Sequence, residues 1–186
     1  MKRTSLDDFS RPRSTGIRAI VFDEDDELVD VKITSGSEDI FLFTKYGQAI
    51  RFSEDDVRVM GRTARGVRGI KLKDADEVIS CGITSEGSHV FAILNEGHGK
   101  RTSVKEYRTI KRGGMGIRNI KIANGYVVKS MLTKSGDEAL LLTKNGMSIR
   151  IRIDDVSVMS RNARGVKLIT LDEGDEVINA AKISTE

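Results

Sequence analysis

The sequence predicts an all-β, propeller-like fold, and three observations carry that prediction. The first is a repeat. Arg62-Thr63-Ala64-Arg65-Gly66-Val67-Arg68-Gly69-Ile70-Lys71-Leu72 returns as Arg161-Asn162-Ala163-Arg164-Gly165-Val166-Lys167-Leu168-Ile169. It returns more loosely as Arg112 to Ile122 and again as Arg13 to Ile20. The anchoring glycines 16, 66, 116 and 165 are spaced by 50, 50 and 49 residues. Self-similarity at such a period marks a repeat architecture. The second observation is that each period holds four short strand-like segments, the content of one propeller blade. The third is that no stretch carries the period of a long amphipathic helix.

The elements follow in order. Residues 1–15 read as the end of a preceding repeat, because Lys2-Arg3-Thr4-Ser5 matches Lys100-Arg101-Thr102-Ser103. Full repeats are expected at 16–65, 66–115 and 116–164, with a partial one at 165–186, all within a single domain spanning 1–186. In the first full repeat, Ile17 to Phe22 is expected as a strand, followed by an acidic turn at 23–27. Leu28 to Ile33 alternates with period two in its second half, the mark of a half-buried strand. Ile40-Phe41-Leu42-Phe43-Thr44 is continuously apolar between turn signals, which fits a fully buried strand. Lys45-Tyr46-Gly47-Gln48 reverses the chain into Ala49 to Phe52. The second repeat keeps this order with Gly66 to Leu72, Glu77 to Ile83, Val90 to Leu94 and Gly99 to Thr102. The third has Gly116 to Ile122, Tyr126 to Leu132, Ala139 to Thr143 and Ser148 to Arg152. Its turn, Asn145-Gly146, is a strong hairpin signal, because both central residues of a type I′ turn need φ > 0. The last unit holds two strands. Ser53 to Val57 and Asp154 to Val156 are expected as single helical turns, capped by Ser53 and Asp154.

Composition excludes several classes. A lone cysteine, Cys81, rules out an internal disulfide, and no apolar run approaches the ~18 residues of a membrane span. The start of the chain has no apolar signal region. The reading is a cytoplasmic chain in a reducing compartment. His89 and His98 sit in unlike contexts, so no zinc site is expected. The acidic turns at 23–27, 74–77 and 172–176 have no His, Lys or Tyr recurring beside them. They read as surfaces that keep the opposite rim from binding a polyanion, not as acid–base or metal centres. No cofactor, metal, membrane or small-molecule substrate is expected.

The net charge of +3 hides a segregated distribution. Residues 57–73 hold six basic residues and no acid, residues 100–121 eight basic and one acidic, and residues 22–39 eight acidic and one basic. Cations recur at fixed places around the glycine: Arg62 and Arg161 four before it, Arg65 and Arg164 one before, and Arg68, Arg118 and Lys167 two after. In a propeller, equivalent positions share one rim. Such a rim matches duplex DNA, which carries a charge every ~1.7 Å of axis. The candidate DNA-binding set is therefore Arg11, Arg13, Arg18, Arg62, Arg65, Arg68, Lys71, Lys100, Lys111, Arg112, Arg118, Arg152, Arg161, Arg164 and Lys167. Arg51, Arg101 and Arg150, on the strand after each hairpin, extend it or serve as edge-strand charges. Met60, Met115 and Met159 read as apolar gap-fillers, with DNA wedges as the lesser reading. Aromatics are 5% and Trp is absent, which favours duplex backbone over the stacked bases of single strands.

This loop-and-strand pattern resembles the C-terminal domain of the DNA gyrase A subunit. The residues that carry the resemblance are Val57 to Ile70, Gly97 to Thr102 and Val158 to Val166, with Asp26 to Val31 and Thr34 to Ser37, and it extends over essentially the whole chain. The related domain of the topoisomerase IV A-type chain is a less good match. The resemblance implies a β-pinwheel, in which a neighbour contributes one strand of each blade. It implies DNA wrapped on a basic perimeter in support of ATP-dependent negative supercoiling, with the rest of gyrase A and gyrase B as partners. It implies the last four of the family's usual six blades. Lys111-Arg112-Gly113-Gly114-Met115-Gly116 is similar to the family's signature box. Ile110 stands for its Gln and Met115 for its second basic residue, so the segment is not read as that box. The family's catalytic tyrosine belongs to another domain, so the chain is not expected to be an enzyme by itself. Competing readings are a protein–protein interaction propeller, which needs aromatic and apolar anchors in its loops, and a propeller hydrolase, which needs a convergent carboxylate or His cluster.

Overall fold

The computed structural model describes residues 1–24 and 26–184, and it is built from antiparallel sheets. Three hairpins organise it. β1 (Asp39–Thr44) pairs with β2 (Gln48–Ser53), β4 (His89–Leu94) with β5 (His98–Ser103), and β8 (Glu138–Thr143) with β9 (Ser148–Arg152). On the other side of each hairpin lies a strand from the next repeat. β3 (Val78–Ile83) pairs with β1, β7 (Val127–Thr133) with β4, and β11 (Val177–Ile183) with β8.

In the first two sheets a fourth strand comes from further along still. β6 (Ile117–Arg118) pairs with β2, joining Ile117 to Ala49, and β10 (Val166–Lys167) pairs with β5, joining Val166 to Gly99. The same register recurs at the start of the chain, where Val67 N–H donates to the Met1 carbonyl at 2.8 Å. The anchoring glycines make this possible. A Cβ at Gly66, Gly116 or Gly165 would lie 2.3, 2.6 or 2.3 Å from the carbonyl oxygen of Met1, Ala49 or Gly99, and all three have positive φ. Only a residue without a side chain lets the backbones approach so closely.

The sheets stack in series. Phe41, Phe43 and Ala49 of the first pack against Val90, Tyr107 and Leu132 of the second. Phe91 and Ile93 of the second pack against Ala139, Leu141, Ile153 and Val156 of the third. A buried aromatic of this kind contributes about 1.5–3 kcal/mol. Arginines on the strand after the hairpin staple each blade to the next. Arg51 Nη1 donates to the carbonyls of Val104 (3.3 Å) and Tyr107 (3.0 Å), and Arg101 Nε to that of Val156 (2.8 Å). Arg3 does the same toward Glu54 at 2.9 Å.

The all-β, propeller-like expectation holds, as do the hairpins and the short turns, which are 3-10 helices at Glu54–Asp56 and Ile153–Asp155. Ser53 caps the first as expected, whereas the second is preceded by Arg152 and has no side-chain cap. The strand content differs. Two sheets have four strands and one has three. The expected strands at 17–22, 28–33 and 66–72 do not form, and Val31 and Ile33 are 71% and 74% exposed. Of the sequence singled out above, Asp25 in the first acidic turn and Thr185-Glu186 of the partial repeat lie outside the described residues.

Candidate nucleic-acid interface

The basic loops meet the preceding repeat at each blade junction, and the meeting has one repeated geometry. The arginine four residues before a glycine donates Nη1 to the carbonyl of the residue two after the previous glycine. Arg62 reaches Arg18 at 3.4 Å, Arg112 reaches Arg68 at 3.0 Å, and Arg161 reaches Arg118 at 3.0 Å. Arg112 Nε is held a second time, by the Asp56 carbonyl at 2.8 Å. The acceptor side is fixed from within. Asn119, fully buried, accepts from the Tyr107 hydroxyl at 2.6 Å and donates to Ser130 Oγ at 2.9 Å. That pins the backbone next to Arg118.

Beside Arg62, Arg112 and Arg161, the structure sorts the other candidate cations into three groups. Arg11, Arg13, Arg18, Arg68, Lys71, Lys111, Arg118 and Lys167 are exposed, and their side chains form no hydrogen bond or ion pair among the described residues. Arg11, Arg13, Arg18 and Arg62 border one concave cleft. A second group is paired with carboxylates: Arg65 with Asp23 at 2.7 Å, Arg164 with Glu96 at 2.8 Å, Arg152 with Asp155 at 2.8 Å, and Arg150 with Glu138.

The third group leaves the candidate surface. Lys100 is 1% exposed, and its ammonium donates to Thr102 Oγ1 and the Ser160 carbonyl, each at 2.7 Å. Burial pushes its pKa down to about 8. It stands where the other hairpins carry Ile50 and Ile149, so it faces the core because its strand position does. Arg51 and Arg101 are the interblade staples described above, and they also pair with Asp39 and Asp154.

The acidic turns do not simply define an opposite rim. Asp23 pairs with Arg65 on the basic loop itself. Asp76 and Asp175 accept from the backbone N–H of Tyr46 and Asn145, each at 3.0 Å, so these two turns clamp the hairpin turn of the previous repeat. The described residues contain no cluster of three metal-ligating side chains.

Comparison with known proteins decides the family. Residues 1–35, 38–85, 95–133 and 137–184 match the family described as DNA gyrase C-terminal domain, beta-propeller. The chain belongs to that family. Among its relatives, the DNA gyrase A protein of Chlamydia pneumoniae is 45% identical over 189 residues, covering 100% of this chain and 23% of the relative. The DNA gyrase A protein of Klebsiella oxytoca is 41% identical over 186 residues, covering 99% and 21%. The chain thus spans about one fifth of the length of the curated relatives it matches. Among solved structures, the C-terminal domain of DNA topoisomerase IV overlays with a TM-score of 0.90 at 25% identity, covering 98% of this chain and 58% of that one. The DNA gyrase A C-terminal domain overlays with a TM-score of 0.83 at 28% identity, covering 91% and 59%.

Within this gyrase-family domain, sequence reasoning missed three exposed cations. Arg58 and Arg108 each stand eight residues before an anchoring glycine, and Lys121 repeats the place of Lys71. None has a side-chain partner among the described residues. Their recurrence at one repeat position was the signal that would have found them. No helix among the described residues is long and apolar enough to cross a membrane.

Proposed function

We propose that this domain binds duplex DNA through its phosphates and bends it along the row of blade junctions, without catalysing a reaction itself. It would do so beside the rest of gyrase A, and with gyrase B, in support of ATP-dependent negative supercoiling. The observation that carries this reading is the recurrence of unpaired cations at equivalent positions of successive junctions, in a chain that belongs to the gyrase C-terminal family. Curved rows of cations suit a bent polyanion. Bending 20–30 bp through 40–90° costs on the order of 1–6 kcal/mol, which added phosphate contacts offset. The gyrase A relatives named in the comparisons favour gyrase as the holoenzyme, while the 0.90 overlay favours topoisomerase IV as the second reading.

A salt titration tests the DNA term. With ~6–10 phosphates contacted, log K against log[salt] is expected to slope at roughly −5 to −9, with little sequence preference. A flat response on random duplex removes the proposal. Whether supercoiling or only decatenation depends on the domain, measured in the holoenzyme with relaxed plasmid and ATP, separates gyrase from topoisomerase IV.

A further inference from the structure

We propose that each blade junction carries a two-arginine phosphate seat, formed by Arg18 with Arg62, Arg68 with Arg112, and Arg118 with Arg161. The inference rests on the DNA-binding reading and specifies how the phosphates are held. In every seat one arginine is anchored and the other is free. The anchored one spends Nη1 on the backbone carbonyl of the free one, at 3.4, 3.0 and 3.0 Å. The sequence separations, 44, 44 and 43 residues, repeat with the blades. A contact that recurs three times in the same atoms is a designed feature of the repeat rather than a chance surface bond.

The geometry follows from the guanidinium plane. With one edge fixed on a carbonyl, the remaining N–H donors of the fork are held in a set direction. The second guanidinium springs from the same residue that supplies the carbonyl, so two cations share one patch of surface. None of the six forms an ion pair among the described residues. Glu106, beside the third seat, accepts from the backbone N–H of Arg161 at 3.1 Å. Like charges held together without a counter-ion repel, and an anion between them relieves the repulsion. Two forks converging on one phosphate give the charge-assisted, bidentate geometry that arginine suits and lysine does not. At the first junction the pair borders the cleft shared with Arg11, Arg13, Gly16 and Ile17. Lys167 holds the free-arginine place of a fourth junction and has no anchored partner among the described residues.

The seat differs from a diffuse basic rim in how mutations combine. Binding of a random-sequence duplex is measured across a salt series for Arg68→Ala, Arg112→Ala, Arg112→Lys and the double variant Arg68→Ala/Arg112→Ala. The cross-junction pair Arg68→Ala/Arg118→Ala is the control, since neither side chain supports the fold. If two arginines share one phosphate, the double variant within a junction loses about 0.9 from the salt slope, no more than either single. The cross-junction double loses about 1.8. Coupling within the junction exceeds about threefold in affinity, and the cross-junction losses multiply. Arg112→Lys, which keeps the charge, is expected to lose binding nearly as far as Arg112→Ala, with the thermal unfolding midpoint confirming that both fold. Losses that multiply within the junction, with a slope loss of about 1.8 there, overturn the seat while leaving DNA binding intact. Absence of salt-dependent binding by the unmodified chain overturns the DNA-binding reading, and the seat with it.

Discussion

Residues 17–33 and 117–133 hold the same place in the repeat and end in different structures. The later segment opens with β6 on the previous hairpin and closes with β7, whose Val127 and Leu132 are 1% and 0% exposed. The earlier one forms no strand, and its Val31 and Ile33 stand largely in solvent. Among the described residues it is tethered by side chains, with Lys32 on Glu86 and Asp23 on Arg65, each at 2.7 Å. The apolar alternation is cleaner in the earlier segment, from Val29 to Ile33, than in Val127–Thr133. What differs is the partner. β7 lies against β4, a hairpin strand from the preceding repeat, and among the described residues no hairpin strand lies against residues 28–33. An apolar alternation therefore specifies a strand only when the neighbouring backbone is present to pair with it.

The sharpest way to break this comparison is to truncate the same repeat position in both segments. Leu132→Ala empties a fully buried site and is expected to cost about 2–5 kcal/mol. Ile33→Ala removes exposed surface and is expected to change stability by less than about 0.5 kcal/mol. Urea denaturation of both variants decides it. Equal losses would mean that residues 28–33 pack as a blade strand after all. The anchoring glycines give a second, smaller contrast. Gly116→Ala meets the Ala49 carbonyl at 2.6 Å as well as the positive φ of 73°, and about 2–4 kcal/mol is expected. At Gly16, φ is 76° but nothing lies within 4 Å, so only the left-handed penalty of about 1–2 kcal/mol remains.

These contrasts show what the sequence could and could not disclose. Hairpins are local, so Asn145-Gly146 and the apolar run at 40–44 placed β8, β9 and β1 directly. Exchange of outer strands is not local. The pairing of Ile117 with Ala49 joins residues more than a full repeat apart, and no short-range pattern encodes it. The family resemblance supplied the idea of a donated strand, and the glycine-to-carbonyl approach gives its physical reason. For the site, recurrence around the glycine identified Arg62, Arg68, Arg118 and Arg161, while Arg18 and Arg112 entered the candidate set only as basic residues of the same loops. It did not reveal which guanidinium is anchored, because the acceptor is a backbone carbonyl and carbonyls leave no trace in side-chain identity. Lys100 was legible in principle, since Ile50 and Ile149 at the same strand position mark it as core-facing.

Lys2 and Lys100 extend the comparison to pH. Both ammonium groups cap carbonyls of the basic loop, Lys2 at Gly61 (3.1 Å) and Lys100 at Ser160 (2.7 Å). Burial lowers both pKa values, and in the fully enclosed Lys100 it does so to about 8 from 10.5. Between these two values the unfolded chain binds a proton that the folded chain does not, so stability rises with pH in that window. Burial raises Cys81 from 9.0 to about 12, so above pH 9 the unfolded chain releases the thiol proton first, which opposes the Lys100 rise and offsets it. The Lys100 effect is therefore isolated between pH 8 and 9, where about 1 kcal/mol is expected. Comparing the wild type with Lys100→Met by denaturation across that range cancels the N-terminal ammonium, which burial also lowers. A pH dependence that survives in Lys100→Met assigns the rise to another group.

The smallest contrast concerns two arginines one residue before the glycine, both held by acids. Arg65 and Asp23 meet at 2.7 Å with side chains 72% and 62% exposed, whereas Arg164 and Glu96 meet at 2.8 Å with 37% and 23%. Glu96 also accepts from Arg164 Nε at 3.1 Å, so one carboxylate oxygen engages two donors of the fork. An exposed pair opens readily in water and contributes at most a fraction of a kcal/mol, so Asp23 offers little competition to a phosphate. Glu96 is less hydrated and competes harder. Glu96→Gln is therefore expected to raise duplex affinity roughly threefold at low salt and Asp23→Asn by less than about 1.5-fold, both gains shrinking as salt screens the charges. Filter binding or anisotropy at two salt concentrations measures both. If Asp23→Asn gives the larger gain, the more exposed arginine lies closer to the DNA path. If neither changes affinity, the position before the glycine faces away from the phosphates, and the row of contacts runs through the arginines two residues after it.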